Sequence, residues 1–193
     1  MNINILLFPD FEALDVFGPA EVLSKVEGYT LRYLSPQGGV LTNRQNIRIL
    51  TQAITPADFG DIWLIPGGMG TRPLAADEAF LALLGQIVQN AAFVLSVCTG
   101  SALLAKCGAL NGRRATTNRR AFDWVEAQGP QVLWNRSARW TVDGKFFVSA
   151  GVSAGIDMAL AFVAHQFGPK RAEEIAAQIE YRSWQEGVSH EDW

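Results

Sequence analysis

The sequence predicts an α/β fold, a three-layer sandwich in which helices cover both faces of a mostly parallel β-sheet. Short apolar runs typical of buried strands alternate along the chain with helical patterns, and the strand patterns end in turn residues. Parallel strands need a crossover connection, usually a helix, so this alternation favours parallel pairing. A third observation is the apolar run at residues 92–97, which ends at Cys98 and passes at once into a helical pattern.

The predicted elements follow in a regular order. Pro19 suits the first turn of a first helix that opens at Gly18, and Gly108 is a candidate left-handed cap for the helix after Cys98. We predict strands at residues 3–8, 29–35, 61–65, 92–97, 115–117, 140–142 and 145–149, the last two joined at Asp143-Gly144, and a small hairpin within 42–51. We predict further helices at residues 79–90, 121–127 and 156–167, and a final one after Pro169 with Ala172, Ile175, Ala176 and Ile179 on one face.

Cys98 lies where a strand reverses into a helix within about four residues, a turn known as a nucleophile elbow. Such a turn crowds the residues two before and two after it, and Ser96 and Gly100 are both small. The turning residue takes a strained backbone conformation that costs on the order of 1–3 kcal/mol. A helix N-terminus can lower a cysteine pKa from about 8.5 to roughly 4–7, so we expect a nucleophilic thiolate at neutral pH. The alternative is a buried cysteine that packs as a small hydrophobe.

The loop after the first predicted strand, residues 9–18, should meet the elbow, because sites of parallel sheets lie beyond the carboxyl ends of the strands. Asp15 lies in this loop between two apolar residues, close to the predicted helix start. A half-buried carboxyl group at that place is either a local cap or turn acceptor or the acid–base partner of Cys98. Burial near a thiolate would raise its pKa.

A second loop, residues 66–70, is rich in glycine but lacks the lysine of a phosphate-binding loop and the spacing of a dinucleotide site. The N–H groups of Gly68 and Thr99 form a candidate pair of oxyanion donors beside the sulfur. The alternative for this loop is a tight turn.

Composition excludes several classes of protein. A length of 193 residues fits one domain, residues 1–193, and the net charge of −3 argues against a nucleic-acid partner. Two cysteines without a C-x-x-C spacing predict neither a metal site nor a disulfide framework, and they indicate a reducing, cytoplasmic setting. No apolar run reaches the roughly 18 residues of a membrane span. The arginine pairs at 113–114 and 119–120 could bind a carboxylate or a phosphate, but solvated loop charge is the favoured interpretation, and they are given no role.

Several motifs together resemble the ThiJ/PfpI superfamily, which has the flavodoxin-like fold of class I glutamine amidotransferases. Within it, the Asp15 segment, the elbow and the Gly155-Ile156-Asp157 and Glu180-Tyr181 segments are most similar to the isonitrile hydratase branch, which converts isonitriles to N-substituted formamides. The resemblance implies a nucleophile at Cys98, an acid–base carboxyl at Asp15, backbone contacts from Gly68 and Thr99, a small-molecule substrate, a homodimer and no cofactor. The motifs are Leu14 to Pro19, Ile65 to Gly68, Ser96 to Gly100, Arg114 to Thr117 and Ala150 to Asp157.

Many superfamily members carry a histidine at one of two positions, directly after the cysteine or just after the strand predicted at 115–117, and this chain has no histidine at either position. Here these positions are Thr99 and Asn118, and Asn118 can orient a partner by hydrogen bonds but cannot take up a proton. Protease, amidase and glutaminase activities are therefore disfavoured, and hydration by Cys98 and Asp15 alone is favoured. The two histidines, His165 and His190, are interpreted as structural or solvated.

Two other classes of function remain open. One is a stand-alone ligand- or redox-sensing domain, since similar domains form the sensor half of AraC-type regulators; the helix-turn-helix units of such regulators would follow the sensor, and none is expected before Trp193. The other is a glyoxalase or deglycase acting on small dicarbonyls, against which the missing histidine and an aspartate in place of the usual glutamate both count. Trp134, Trp140, Asn118 and Phe122 are candidates either for a small apolar pocket or for core or dimer contacts.

Overall fold

The computed structural model describes residues 1–182. Eight of the strands form one sheet in the order β3-β4-β2-β1-β5-β6-β10-β9, and β7 and β8 pair separately. The strands are β1 (Asn2–Leu6), β2 (Thr30–Ser35), β3 (Gly39–Thr42), β4 (Arg48–Ala53), β5 (Ile62–Ile65), β6 (Phe93–Val97), β7 (Arg114–Ala115), β8 (Leu133–Trp134), β9 (Trp140–Asp143) and β10 (Phe146–Ser149). The helices are α1 (Ala13–Ser24), α2 (Thr71–Leu74), α3 (Glu78–Asn90), α4 (Gly100–Lys106), α5 (Phe122–Glu126), α6 (Ala154–Phe167) and α7 (Pro169–Gln178).

The main sheet is parallel from β4 to β10, and only its two edge strands, β3 and β9, run antiparallel to their neighbours. Helices α1, α6 and α7 pack together, while α2 to α5 form a second group around α4. Every residue of β5 is buried, as expected for a central parallel strand covered on both faces. The predicted three-layer α/β fold is confirmed.

Most predicted elements are confirmed with shifted bounds. The small hairpin is formed by β3 and β4, and the second hairpin turns at Gly144, whose φ is +58°. Gly108 follows α4 with a φ of +80°, and Gly168 separates α6 from α7 with a φ of +87°, a backbone region that glycine enters without steric cost. The face of α7 predicted to be apolar is buried at Ala172, Ile175 and Ala176.

The predicted start of the first helix was wrong. Helix α1 begins at Ala13 rather than Gly18, so Asp15 lies in its first turn and not in a loop, and Pro19 lies inside the helix. A proline inside a helix removes one backbone hydrogen bond, so proline is favoured in the first turn of a helix. The sequence prediction used this preference and therefore placed the helix start too late. Burial of the helix face that includes Val16 and Leu23 outweighs that cost.

The strand predicted at 115–117 is shorter than expected. Strand β7 ends at Ala115, and the hydroxyls of Thr116 and Thr117 donate to the carbonyls of Ala138 and Cys98. These side-chain hydrogen bonds replace a strand ladder. Two short elements, α2 and β8, were not predicted.

Candidate active site

Cys98 occupies the predicted elbow between β6 and α4. Its φ of +58° is a strained value for a residue other than glycine. The Cys98 N–H donates to the carbonyls of Ser149 and Ala150, at 3.3 and 3.0 Å. A Cβ atom at Gly100 would lie 2.4 Å from the Ile65 carbonyl oxygen, which explains why the turn requires glycine there. The elbow is therefore locked by its neighbours on both sides.

A second strained residue faces the first. Val152, in the loop between β10 and α6, has a φ of +50°, and its backbone lies beside the Cys98 side chain, where it lowers the pKa of the thiol. A β-branched residue rarely adopts this conformation, so the surrounding structure must hold it. Sequence reasoning did not single out Val152, although it lies within the Ala150 to Asp157 motif.

Asn118 also contacts the sulfur, and its orientation is fixed. Its Oδ1 accepts hydrogen bonds from the N–H groups of Arg120 and Ala121, at 3.0 and 3.2 Å. Its Nδ2 is therefore the atom free to donate toward the Cys98 side chain, and this amide lowers the pKa of the thiol. A Cβ atom at Gly151 would lie 2.3 Å from this Nδ2, so glycine leaves the amide its room.

The carbonyl of Cys98 ties these segments together. It accepts hydrogen bonds from the hydroxyls of Ser101 and Thr117, each at 2.9 Å. Thr117 directly precedes Asn118 and thereby fixes that amide next to the elbow.

Asp15 is fully buried beneath the elbow. Its Oδ2 accepts a hydrogen bond of 2.9 Å from the Gly67 N–H, and its Oδ1 has no hydrogen-bond partner of good geometry within residues 1–182. Burial raises the pKa of the Asp15 carboxyl to about 7, although the Gly67 N–H and the Cys98 side chain oppose part of this shift. The raised pKa expected from the sequence is confirmed in direction, with burial as its cause, whereas the neighbouring sulfur acts against it.

The prediction that Cys98 is a thiolate at neutral pH was wrong. Burial and the negative charge of Asp15 raise the pKa of the Cys98 thiol to about 12, and the contacts from Thr99, Asn118 and Val152 only partly offset them. The side chain is 6% exposed, so removal from water outweighs the favourable field of the seven-residue helix α4. At neutral pH the proton therefore rests on the sulfur.

The predicted donor pair of Gly68 and Thr99 is arranged differently. The Gly68 N–H donates to Thr99 Oγ1 at 3.1 Å and is thereby engaged. The Thr99 backbone lies beside the sulfur and lowers the pKa of the thiol, and Val152 rather than Gly68 is the second backbone group there. A Cβ atom at Gly67 would lie 2.6 Å from the Thr99 nitrogen and 2.8 Å from Asp15 Oδ2. The glycine-rich loop therefore packs directly against both candidate catalytic residues.

Arg72 on α2 is a half-buried cation that the sequence did not reveal. Its Nη1 donates to the Gly68 carbonyl and to Thr71 Oγ1, at 3.3 and 3.1 Å, and its guanidinium lies 4.2 Å from the Trp124 ring centroid. Burial lowers the pKa of Arg72, and the negative charge of an ionised Cys98 acts in the opposite direction. Arg72 therefore places a positive charge against the glycine-rich loop beside the elbow.

The aromatic candidates for a pocket belong to the packing instead. Phe122 and Trp134 meet edge to face at 6.1 Å, and Trp140 is buried in β9. Of the four candidates, Asn118 lines the cavity beside the elbow. His165 packs its ring 5.3 Å from Phe147, as expected for a structural role, and His190 lies outside the described residues.

The described residues contain neither a cluster suited to hold a metal ion nor a helix suited to span a membrane. Within residues 1–182, no group of three or more histidine, cysteine, aspartate or glutamate side chains is placed to hold a metal ion. In the same part of the chain, no helix has the length and apolar character needed to cross a membrane.

The fold and the elbow define an α/β protein with a cysteine at its strand-to-helix turn. Residues 1–165 match the DJ-1/PfpI family, and the chain belongs to that family. It is 32% identical to the isonitrile hydratase of Pseudomonas putida over 182 residues, which cover 94% of this chain and 78% of that protein. The crystal structure of a ThiJ/PfpI family protein from Pseudomonas syringae superposes with a TM-score of 0.85 at 27% identity, covering 97% of this chain and 77% of that one.

Relatives of other kinds also match. The chain is 29% identical to the HTH-type transcriptional regulator CdhR of Pseudomonas aeruginosa, over 90% of this chain but 53% of the regulator. It is 27% identical to the deglycase TK1284 of Thermococcus kodakarensis, over 77% of this chain and 89% of the deglycase. Membership of the family therefore does not by itself choose between an enzyme and a sensor.

Proposed function

We propose that this protein is a cysteine-dependent hydratase that converts an isonitrile to an N-substituted formamide. The observation that carries the proposal is the pairing of the Cys98 thiol with a buried carboxyl, Asp15, whose pKa is raised to about 7. A group with a pKa near the working pH can both accept and return a proton, as the reaction requires. The similarity to the isonitrile hydratase adds support.

In the first step the terminal isonitrile carbon inserts into the S–H bond of Cys98. Asp15 takes the thiol proton as the C–S bond forms and returns that proton to the same carbon. The product is a thioimidate, R–N=CH–S–Cys98. Because the sulfur starts as a thiol, the carboxylate is needed as a base for every turnover.

In the second step water adds to the thioimidate. Its oxygen bonds to the carbon, and its proton reaches the nitrogen through Asp15, which gives R–NH–CH(OH)–S–Cys98. The C–S bond then breaks as the C=O bond forms, and the hydroxyl proton returns through Asp15 to the sulfur. The sum is R–NC + H2O → R–NH–CHO, and the thiol is regenerated without oxidation or reduction.

The groups around the sulfur have matching roles. Thr99 and Val152 supply backbone donors and Asn118 an amide donor, which stabilise negative charge on the sulfur as the bond forms and as it breaks. The Gly68 N–H positions Thr99 by donating to the hydroxyl oxygen of the Thr99 side chain. A buried carboxyl that has no histidine beside it within residues 1–182 suits proton shuttling on a small electrophile better than protonation of an amide leaving group.

The test is formamide production from n-butyl isocyanide under reducing conditions. We expect turnover by the wild type, loss in Cys98→Ala and Asp15→Asn, and retention in Cys107→Ala, whose half-buried sulfur contacts the Leu104 carbonyl in the α4 C-terminal turn. A folded wild type whose Cys98 can be alkylated but which makes no formamide would overturn the proposal. The sensor or dicarbonyl function, supported by the regulator and deglycase relatives, would then take its place.

We also propose a homodimer in the cytoplasm. Leu14 and Phe17 on α1 and Val152 beside the elbow are apolar yet exposed, at 39, 38 and 36%, which favours an interface near the site. Both cysteines are free thiols, which suits a reducing compartment. Light scattering would give the mass of the particle, and a monomer would contradict the dimer.

A further inference from the structure

A cavity of about 330 Å³ opens beside the elbow, and we call it the arginine pocket. It shares Asn118 and Val152 with the contacts of the Cys98 sulfur, so it is the space from which a substrate would approach. The part of its lining that residues 1–182 supply is rich in cations and contains no carboxylate. The lining residues are Asn118, Arg119, Arg120, Arg139, Ala150, Gly151, Val152 and Ala154.

Within residues 1–182, the three arginines have one anionic partner between them. Arg139 pairs with the buried carboxylate of Asp157, with Nε 2.5 Å from Oδ2. Arg119 donates to neutral groups, the carbonyls of Ser137 and Ala138, at 2.5 and 3.3 Å. The exposed Arg120 forms no ion pair with any residue of the described chain. Among the described residues, about two positive charges of the pocket are therefore uncompensated.

The positive charges of Arg119 and Arg139 repel each other in this structure. The pKa of Arg119 is lowered by burial and by the charge of Arg139. An anion in the pocket would relieve this repulsion, and a guanidinium fork matches the two oxygens of a carboxylate. The sequence interpretation of residues 119–120 as solvated loop charge did not anticipate that the fold turns both side chains toward a cavity next to the nucleophile.

We propose that the arginine pocket binds a carboxylate carried by the substrate, so that the preferred substrates are isonitriles with an acidic substituent. The proposal rests on the function proposed above and names its substrate class. The isonitrile end would lie at Cys98 and the carboxylate at Arg119 and Arg120. The reaction and its balance are unchanged, and the product is an N-formyl compound that retains the carboxylate.

The first test does not depend on hydration. Iodoacetate and iodoacetamide alkylate the same sulfur by the same displacement and differ by one negative charge, so the ratio of their rates at Cys98 cancels the thiolate fraction. In a Cys107→Ala background, we expect Arg120→Gln and Arg119→Gln each to lower the iodoacetate-to-iodoacetamide ratio by about tenfold at low salt, as loss of one close charge does. The matched control is Arg114→Gln, because Arg114 pairs with Asp143 at the far end of β9. A ratio unchanged in both pocket variants would overturn the proposal.

The second test compares isocyanoacetate with its neutral methyl ester. We expect the wild type to favour the acid in kcat/KM by about tenfold or more, and Arg120→Gln to bring the two substrates close to equality. Equal use of acid and ester by the wild type would overturn the carboxylate pocket while leaving hydration intact. Failure to hydrate either compound, combined with an alkylation ratio that depends on the arginines, would overturn the hydratase function and support the anion pocket.

Discussion

The carboxyl of Asp15 and the thiol of Cys98 affect each other's ionisation in opposite ways. The thiol lowers the pKa of the carboxyl, whereas the carboxylate raises the pKa of the thiol. The proton therefore rests on the sulfur while Asp15 ionises near pH 7, and the pair is a thiol next to its base. This order of ionisation suits a reaction that moves the thiol proton onto a substrate atom.

Asp15→Asn should have opposite effects on alkylation and on hydration. Without the negative charge beside it, Cys98 has a lower pKa, so we expect its reaction with iodoacetamide at pH 8 to become several-fold faster. Hydration should fall by a factor of about 10² or more, because the base is lost. Mass-resolved alkylation and formamide assays on the same sample measure both effects. A variant that is slow in both assays would mean that the carboxyl only holds the structure.

Burial of Asp15 should make stability depend on pH. The pKa of this carboxyl is raised in the folded state from 3.8 to about 7, so its contribution to stability is fully present below about pH 4 and is lost as the pH rises to 7. Three pKa units correspond to roughly 4 kcal/mol. The melting temperature of Asp15→Asn, relative to that of the wild type, should therefore rise by about 10 °C between pH 4 and pH 8. A difference in melting temperature that is the same at both pH values would contradict the raised pKa.

Thr117 should matter to activity beyond its effect on stability. Thr117→Val removes the hydrogen bond to the Cys98 carbonyl, and Thr116→Val removes a hydrogen bond of similar length to the Ala138 carbonyl. Each change should lower the free energy of unfolding by about 1–2 kcal/mol, as measured by denaturant titration. Only Thr117→Val should also lower kcat, because it frees the segment that holds Asn118. Equal kcat values in the two variants would contradict this positioning role.

Gly67→Ala should damage the site, because the new Cβ would lie within 3 Å of Thr99 and Asp15. We expect the free energy of unfolding to fall by about 1–3 kcal/mol. The rate of formamide production by the folded protein should also fall, because the two candidate catalytic residues are displaced. Gly85 on α3 has no neighbouring atom within 4 Å of such a Cβ, so Gly85→Ala should raise stability by up to about 1 kcal/mol and leave activity unchanged. Thermal melting with formamide assays compares the two variants. Full activity in Gly67→Ala would show that the loop tolerates a shift at this point.

The sequence predicted the parts of the site that depend on local sterics. The elbow at Cys98 could be predicted because a tight strand-to-helix turn demands small neighbours, and Asp15 was identified although its helix start was misplaced. The ionisation of Cys98 could not be predicted, because the depth of burial is set by the whole fold. Val152 and Arg72 were missed for a related reason: Val152 comes to lie beside the sulfur, and Arg72 beside the Gly68 carbonyl, through long-range packing, which no local pattern encodes.

The most direct test of the account is the mass of the Cys98 peptide during turnover. The protein would be mixed with n-butyl isocyanide, quenched within the first turnovers and digested for mass spectrometry. Insertion into the S–H bond predicts an adduct on Cys98 equal to the full mass of the isonitrile, and hydration in D2O should give formamide with deuterium on the formyl carbon. Formamide release without any adduct on Cys98, and undiminished in Cys98→Ala, would contradict covalent catalysis at the elbow.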